Sequence, residues 1–205
     1  NLANQNVLGG EISEIERAYK GYRYAININS IKTSQSMFAR RVFELLASNT
    51  LTVSNYAKGI RVLLGDLVIT GDDPAELAAR LAALEHDGGR ALRRAALRKV
   101  LAEHTYQDRV AYVATKLFED VTPPRLLPAI AVIGTPAIEA AFARQRYPHK
   151  RLVIVTAETA SRSVDELVAP DGLVAPFADE GEYGEHYLTD LALATRYHDG
   201  PVIGS

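Results

Sequence analysis

Within Met37–Asn55, MFARRVFELLASNTLTVSN, an acid and two bases are spaced to act together: Arg40 and Arg41 stand about one helical turn before Glu44. Phe38, Val42, Leu45 and Leu46 recur at helical spacing and define one buried stripe, which turns Glu44 to the other side. A carboxylate held there accepts two hydrogen bonds. The same spacing permits an Arg40–Glu44 ion pair at i,i+4, worth ~0.3–0.5 kcal/mol when exposed, and both readings of Glu44 stay open. Just upstream, Ser30–Ser36 (SIKTSQS) offers the hydroxyls of Ser34 and Ser36, the ammonium of Lys32 and the N–H groups of the helix start that follows. These are the donors an anionic group needs, and they need no metal.

The elements that position these groups alternate. Residues 14–23 read as an amphipathic helix ending at Gly21, and Tyr24–Asn29 (YAININ) alternates as a short strand does. The polar loop then feeds the helix of Glu44. Leu51–Val53 is a second strand, Gly59–Leu64 a short helix and Leu67–Ile69 a third strand. Asp73 is an N-cap, Pro74 suits the first helical position, and Glu76 follows the cap by three residues, so a helix runs through Leu77, Leu81 and Leu84. After the Gly88-Gly89 break, another long helical stretch carries Leu92, Val100 and Leu101 and later Val110, Val113 and Leu117. This order predicts an α/β fold, a Rossmann-like parallel sheet with helices on both faces, over residues 1–118.

Residues 119–128 hold Pro123, Pro124 and Pro128 and read as a linker. Residues 129–205 form a smaller, incomplete α/β segment: a strand at Ala129–Ile133, a helix at Pro136–Arg146 and a strand at Leu152–Val155. The pattern then weakens until a helical stripe at Tyr187–Tyr197.

The 205 residues are 47% hydrophobic and 23% charged, as in an ordinary globular chain. A net charge of −2 and a pI near 6.2 give no overall positive field to attract nucleic acid. With no cysteine, disulfides and thiolate metal sites are excluded, which fits a cytoplasmic setting. Apolar runs fall far short of the roughly 20 residues that cross a bilayer. The polar start, without Met or a signal-peptide core, is expected to lie inside a longer protein.

The Met37–Asn55 stretch resembles the C-terminal, donor-binding half of glycosyltransferases of the GT-B fold, specifically the spore-maturation type among the group 1 glycosyl transferases. There a helix reading roughly R-x-F-E-x-x-A-x-G-T-P precedes a buried strand. Arg41, Phe43, Glu44, Ala47, Thr50 and Leu51–Val53 match it, and Ala102–Val110 (AEHTYQDRV) resembles the closing helix of the same family. The similarity covers roughly Tyr24 to Leu117. It implies that Glu44 receives the ribose of a nucleotide-diphosphate-sugar, and that Lys32, Ser34, Ser36 and Arg41 belong to the donor site. Lys58, Gly59 and Arg61, at the start of the next helix, are expected to add donors or charge there. The sugar nucleotide is a co-substrate; no cofactor is implied, a divalent metal is not expected, and no catalytic residue is named. Three departures alter the pattern: Ser36 stands where the family has a second Glu, and Asn49 and Leu51 replace its Gly and Pro. Histidine as a residue type suits acid–base chemistry, but His104 lies where the family uses a capping or packing residue, and the remaining histidines show no ligand spacing.

Ala129–Val155 is similar to the opening of a GT-A glycosyltransferase domain, and Ala175–Leu188 (APFADEGEYGEHYL) to its acidic metal-binding loop. Here Ala178 replaces the first acid and Gly181 interrupts the run, leaving Asp179, Glu180 and Glu182. A structural remnant is expected rather than a working Mg²⁺ or Mn²⁺ site. The function implied is donor binding for sugar transfer to an acceptor such as a glycan, through a domain this sequence does not contain. The alternative is a non-catalytic assembly or scaffolding module on the same architecture. A nucleotide-sugar epimerase matches the motif less well.

Overall fold

A computed structural model describes residues 12–84, 86–118, 120, 127–156, 159, 163, 166 and 172–200. The chain divides into two compact units, Asn1–Thr105 and Tyr106–Ser205. In the first, α1 (Ile12–Gly21) leads to β1 (Tyr24–Asn27), α2 (Arg41–Ala47), β2 (Leu51–Ser54), α3 (Lys58–Leu64), β3 (Ile69–Thr70), α4 (Pro74–Ala82) and α5 (Arg90–Glu103). The three strands are parallel in the order β1-β2-β3.

The register sets what each face carries. Ile26, Val53 and Ile69 share one face, and Asn27, Ser54 and Thr70 the other. On the first face, Leu51, Val53 and Ile69 pack against Leu77, Leu81, Leu84 and Leu92 from α4, the turn after it and α5. Val68 points oppositely to Ile69 and joins Val42, Leu46, Ile60, Leu64, Ala96 and Val100 on the second face. Helices therefore cover both faces, as expected. Ile26 and Ile28 are 73% and 77% exposed, so the cover of the first face stops short of β1, while Asn27 on the other face is fully buried.

Local chemistry explains where elements end. Asp73 caps α4 by accepting the Ala75 N–H at 2.9 Å, with Pro74 at the first helical position. Asn49 has φ 57°, the left-handed conformation that favours glycine, and α2 closes on it: the Thr50 N–H reaches Leu45 O and the Asn49 N–H reaches Leu46 O. Asparagine tolerates that conformation better than other side chains, so the exchange of the family's glycine for Asn49 leaves the turn intact.

Several predicted bounds are corrected. β1 stops at Asn27 rather than Asn29, because a side chain takes over its pairing, as described below. The strand expected at Leu67–Ile69 is Ile69–Thr70. Gly65, at φ +57°, ends α3 and puts Leu67 into a one-turn 3-10 helix. The long helical stretch after Gly89 is two helices, α5 and α6 (Tyr106–Leu117), broken at His104. There φ is −130°, and the imidazole packs 5.2 Å from the Phe43 ring.

In the second unit, α6 is followed by β4 (Ile130–Gly134), α7 (Glu139–Arg144), β5 (Lys150–Ile154), β6 (Leu173–Pro176) and α8 (Tyr187–Ala194). The strands are parallel in the order β5-β4-β6. β6 is an addition to the sequence reading, which lost the pattern after Val155. The helix predicted at Pro136–Arg146 opens as a 3-10 turn capped by Thr135, and α8 ends at Ala194 rather than Tyr197. Ile130, Val132, Ile138, Tyr147, Ala175, Phe177, Leu188 and Ala192 form its core. Gln145, 3% exposed, donates to Gly184 O and accepts the Leu188 N–H, fixing the start of α8. Within this unit Arg196, just after α8, holds α6 through Asp108 at 3.2 Å, with both side chains largely buried. Pro123 and Pro124 of the expected linker lie outside the described residues. Among the described residues, no helix is long and apolar enough to cross a membrane.

The packing predicts unequal losses. Leu46→Ala, emptying a site 1% exposed in the first core, is expected to lower unfolding free energy by ~2–5 kcal/mol. Asp73→Ala, removing one cap, is expected to cost ~1 kcal/mol. Urea unfolding measures both, and equal losses would contradict this assignment of the core.

Candidate functional site at the carboxyl edge of the first sheet

The strands β1, β2 and β3 all point one way, so their carboxyl ends gather at one edge, where ligands bind in open α/β sheets. That edge is polar. Asn27 and Asn29 both donate to Ser54 Oγ, at 3.1 and 3.0 Å. The Asn55 side chain accepts the Asn29 N–H at 2.8 Å and donates to Asn29 O at 2.9 Å. One amide thus replaces the backbone rungs that would continue the β1–β2 ladder.

The loop from Ser30 to Arg40 lies on this platform. Its N–H groups are partly used within the protein: Ser34 Oγ accepts those of Ser36 and Met37, and Asn29 Oδ1 accepts that of Ala39 at 3.0 Å. Lys32 binds Asp72 at 2.8 Å, and its carbonyl accepts the Lys58 N–H at 2.8 Å. Gly59 lets the loop come close: a Cβ there would lie 2.8 Å from both Gln35 O and the Phe38 ring. Its absent side chain serves packing between loop and helix. Ile28, Asn29, Ile31, Ser36, Met37 and Phe38 line a cleft of about 490 Å³ beside the loop.

Glu44 lies in the first turn of α2, just past this loop, and is half-buried. Its Oε1 accepts from Arg40 Nε at 2.9 Å, so the i,i+4 pair is present. The pair occupies one oxygen of two. Lys32, Ser34, Ser36, Lys58 and Gly59 are brought together by the loop. Two expected members are not. Arg61 turns to Asp66 in the turn before β3, and Arg41 lines a separate cleft of about 420 Å³ with Tyr19, Tyr22, Tyr24 and Leu45. The sequence reading omitted Asn29, Asn55 and Asp72; the available signal was polar residues directly after apolar strands, in NINS and LTVSN.

These features define a class first: a parallel, Rossmann-like α/β domain whose carboxyl edge carries a row of polar side chains beside a largely apolar cleft. The particular family follows from comparison. The profile of a family described as glycosyl transferase-like matches residues 5–115, more than half of the chain, and the protein belongs to that family. No curated protein and no solved structure matches it.

The corresponding edge of the second unit carries the acidic loop. Asp179 accepts from Thr135 Oγ1 at 2.6 Å, while Asp179, Glu180 and Glu182 are exposed. Among the described residues no group of three or more His, Asp or Glu side chains could hold a metal ion. Tyr183 stacks on Phe177 with centroids 3.8 Å apart, and its hydroxyl accepts the Ala178 N–H at 2.8 Å. The folded-back ring would lie 2.4 Å from a Cβ at Gly181, so this turn has no room for a side chain at 181 while the ring stays in place.

Hydrogen bonding from Lys32 holds the Asp72 carboxyl below its ordinary value of 3.8; lost hydration opposes this and the Tyr56 N–H reinforces it. Because the folded-state value is depressed, the pair's contribution is complete above pH 3.8 and is lost as pH falls through the lower folded value. An NMR titration of the Asp72 carboxyl is expected to give a midpoint below 3.8, moving up toward it in Lys32→Ala. A midpoint unmoved by that substitution would exclude Lys32 as the cause.

Proposed function

We propose that this chain supplies the nucleotide-sugar-binding site of a glycosyltransferase that moves the sugar to an acceptor hydroxyl, such as one on a glycan. One observation carries the proposal: in a member of the glycosyl transferase-like family, Glu44 rises from the helix that follows the loop on the sheet's carboxyl edge. Its carboxylate suits the paired hydroxyls of a ribose, with Arg40 holding one oxygen and leaving the other for the ligand. Lys58 and Lys32 supply positive charge for the diphosphate, together with the hydroxyls of Ser34 and Ser36. In transfer, the bond from the sugar's anomeric carbon to the diphosphate oxygen breaks and a bond to the acceptor oxygen forms. The acceptor's proton leaves to a base, and the fixed charges stabilise the departing diphosphate.

The second reading, a non-catalytic assembly module, is favoured by one observation. The loop's donors are partly spent within the protein, on Ser34 Oγ, Asn29 Oδ1 and the Lys32–Asp72 pair. Calorimetry with UDP, GDP and their sugars on the full-length protein decides between them. Binding by the wild type is expected, weakened about tenfold or more in Glu44→Ala with unchanged unfolding, in keeping with loss of hydrogen bonds to a charged group. No binding of any of these ligands would remove the donor role, and equal binding by Glu44→Ala would remove Glu44 from it.

A further inference from the structure

We infer that Asn29 is the positioning residue of this site: one side chain that braces the loop carrying Ser34 and Ser36 and sets where the helix of Glu44 begins. The inference rests on the donor-binding reading above and adds to it a residue that acts through the loop and the helix start.

The geometry is a closed set of bonds. The β1–β2 register ends at Asn27 opposite Ser54. Two residues on, both backbone groups of Asn29 are taken by the Asn55 amide, at 2.8 and 2.9 Å, which clamps the start of the loop. The Asn29 side chain then reaches in two directions, donating to Ser54 Oγ at 3.0 Å and accepting the Ala39 N–H at 3.0 Å. Backbone N–H groups only donate, so the N–H of Ala39 and that of Asn29 fix which way both amides point. Ala39 immediately precedes Arg40, whose guanidinium holds Glu44. The beginning and the end of the loop are thus joined through one residue, 6% exposed, which also forms part of the cleft wall. Without the Ala39 bond, the loop keeps its anchor at Asn55 and loses its anchor at the helix start.

Thr52 supplies the contrast. It is fully buried in β2, and its hydroxyl donates to Thr50 O, just before the same strand. A loss of buried polar bonding there touches neither loop nor cleft.

Amide hydrogen exchange and calorimetry with UDP on the full-length protein test the inference. Asn29→Ala is expected to speed exchange at the Ala39 amide about tenfold, as for the loss of one buried hydrogen bond. It is also expected to weaken UDP by roughly 10- to 100-fold, as small misplacements of binding groups do. Asn29→Asp keeps an acceptor for the Ala39 N–H but loses the donor to Ser54 and adds a negative charge, so it is expected to restore slow exchange at Ala39 and not UDP binding; its exchange serves alone if Asn29→Ala does not fold. Thr52→Val is expected to change neither. Wild-type exchange at Ala39 in Asn29→Ala overturns the inference, as does a UDP loss in Asn29→Ala no greater than that of Thr52→Val, or exchange at Ala39 as fast in Asn29→Asp as in Asn29→Ala. Absence of UDP and GDP binding by the wild type is a different result, overturning the donor reading itself.

Discussion

A parallel strand that stops must leave its last N–H and C=O groups satisfied, and here side-chain amides meet that need at the edge where a ligand would sit. Water could do the same only by hydrating the platform. Asn27, Asn29, Ser54 and Asn55 instead form a connected polar row whose bonds run between strands and into the loop. The cleft, the loop and the start of α2 all hang on this termination. Its order comes from the sheet rather than from the loop's own composition, which is largely small and polar.

The first sheet and its helices were legible because their signals are local and repeated. The Val42, Leu45, Leu46 stripe, the Asp73-Pro74 start and the short apolar strands each state one element. The misjudged boundaries share another origin. Asn29 looks like a strand residue because its pattern continues YAIN, but its rungs come from Asn55, 26 residues later. His104 lies inside a helical stripe, and its break with the following helix goes with contact to Phe43 from a distant helix. No window of sequence contains such partners. The same holds for β6, whose four residues gain their identity by pairing with β4, more than 35 positions away.

The candidate site was legible in its chemistry and less so in its geometry. Glu44, Lys32 and the serines announce themselves by type and spacing, whereas which way each turns depends on neighbours. Arg41 and Arg61 differ little in sequence terms from Lys58. The fold sends one to a tyrosine-lined cleft and the other to Asp66. Lys32 carries the charge expected of it, already shared with Asp72, an acid that the pattern of the loop gives no reason to pair with it.

Tyr183 decides what the loop after β6 can carry. Its ring is held by Phe177 on one side and by the Ala178 amide at its tip, so it cannot simply swing aside to admit a side chain at position 181. Any side chain at position 181 therefore has to displace the tyrosine ring first. The glycine and the stacked pair are thus one unit: a substitution at 181 trades the aromatic stack and the bond to the Ala178 amide for whatever the new side chain gains.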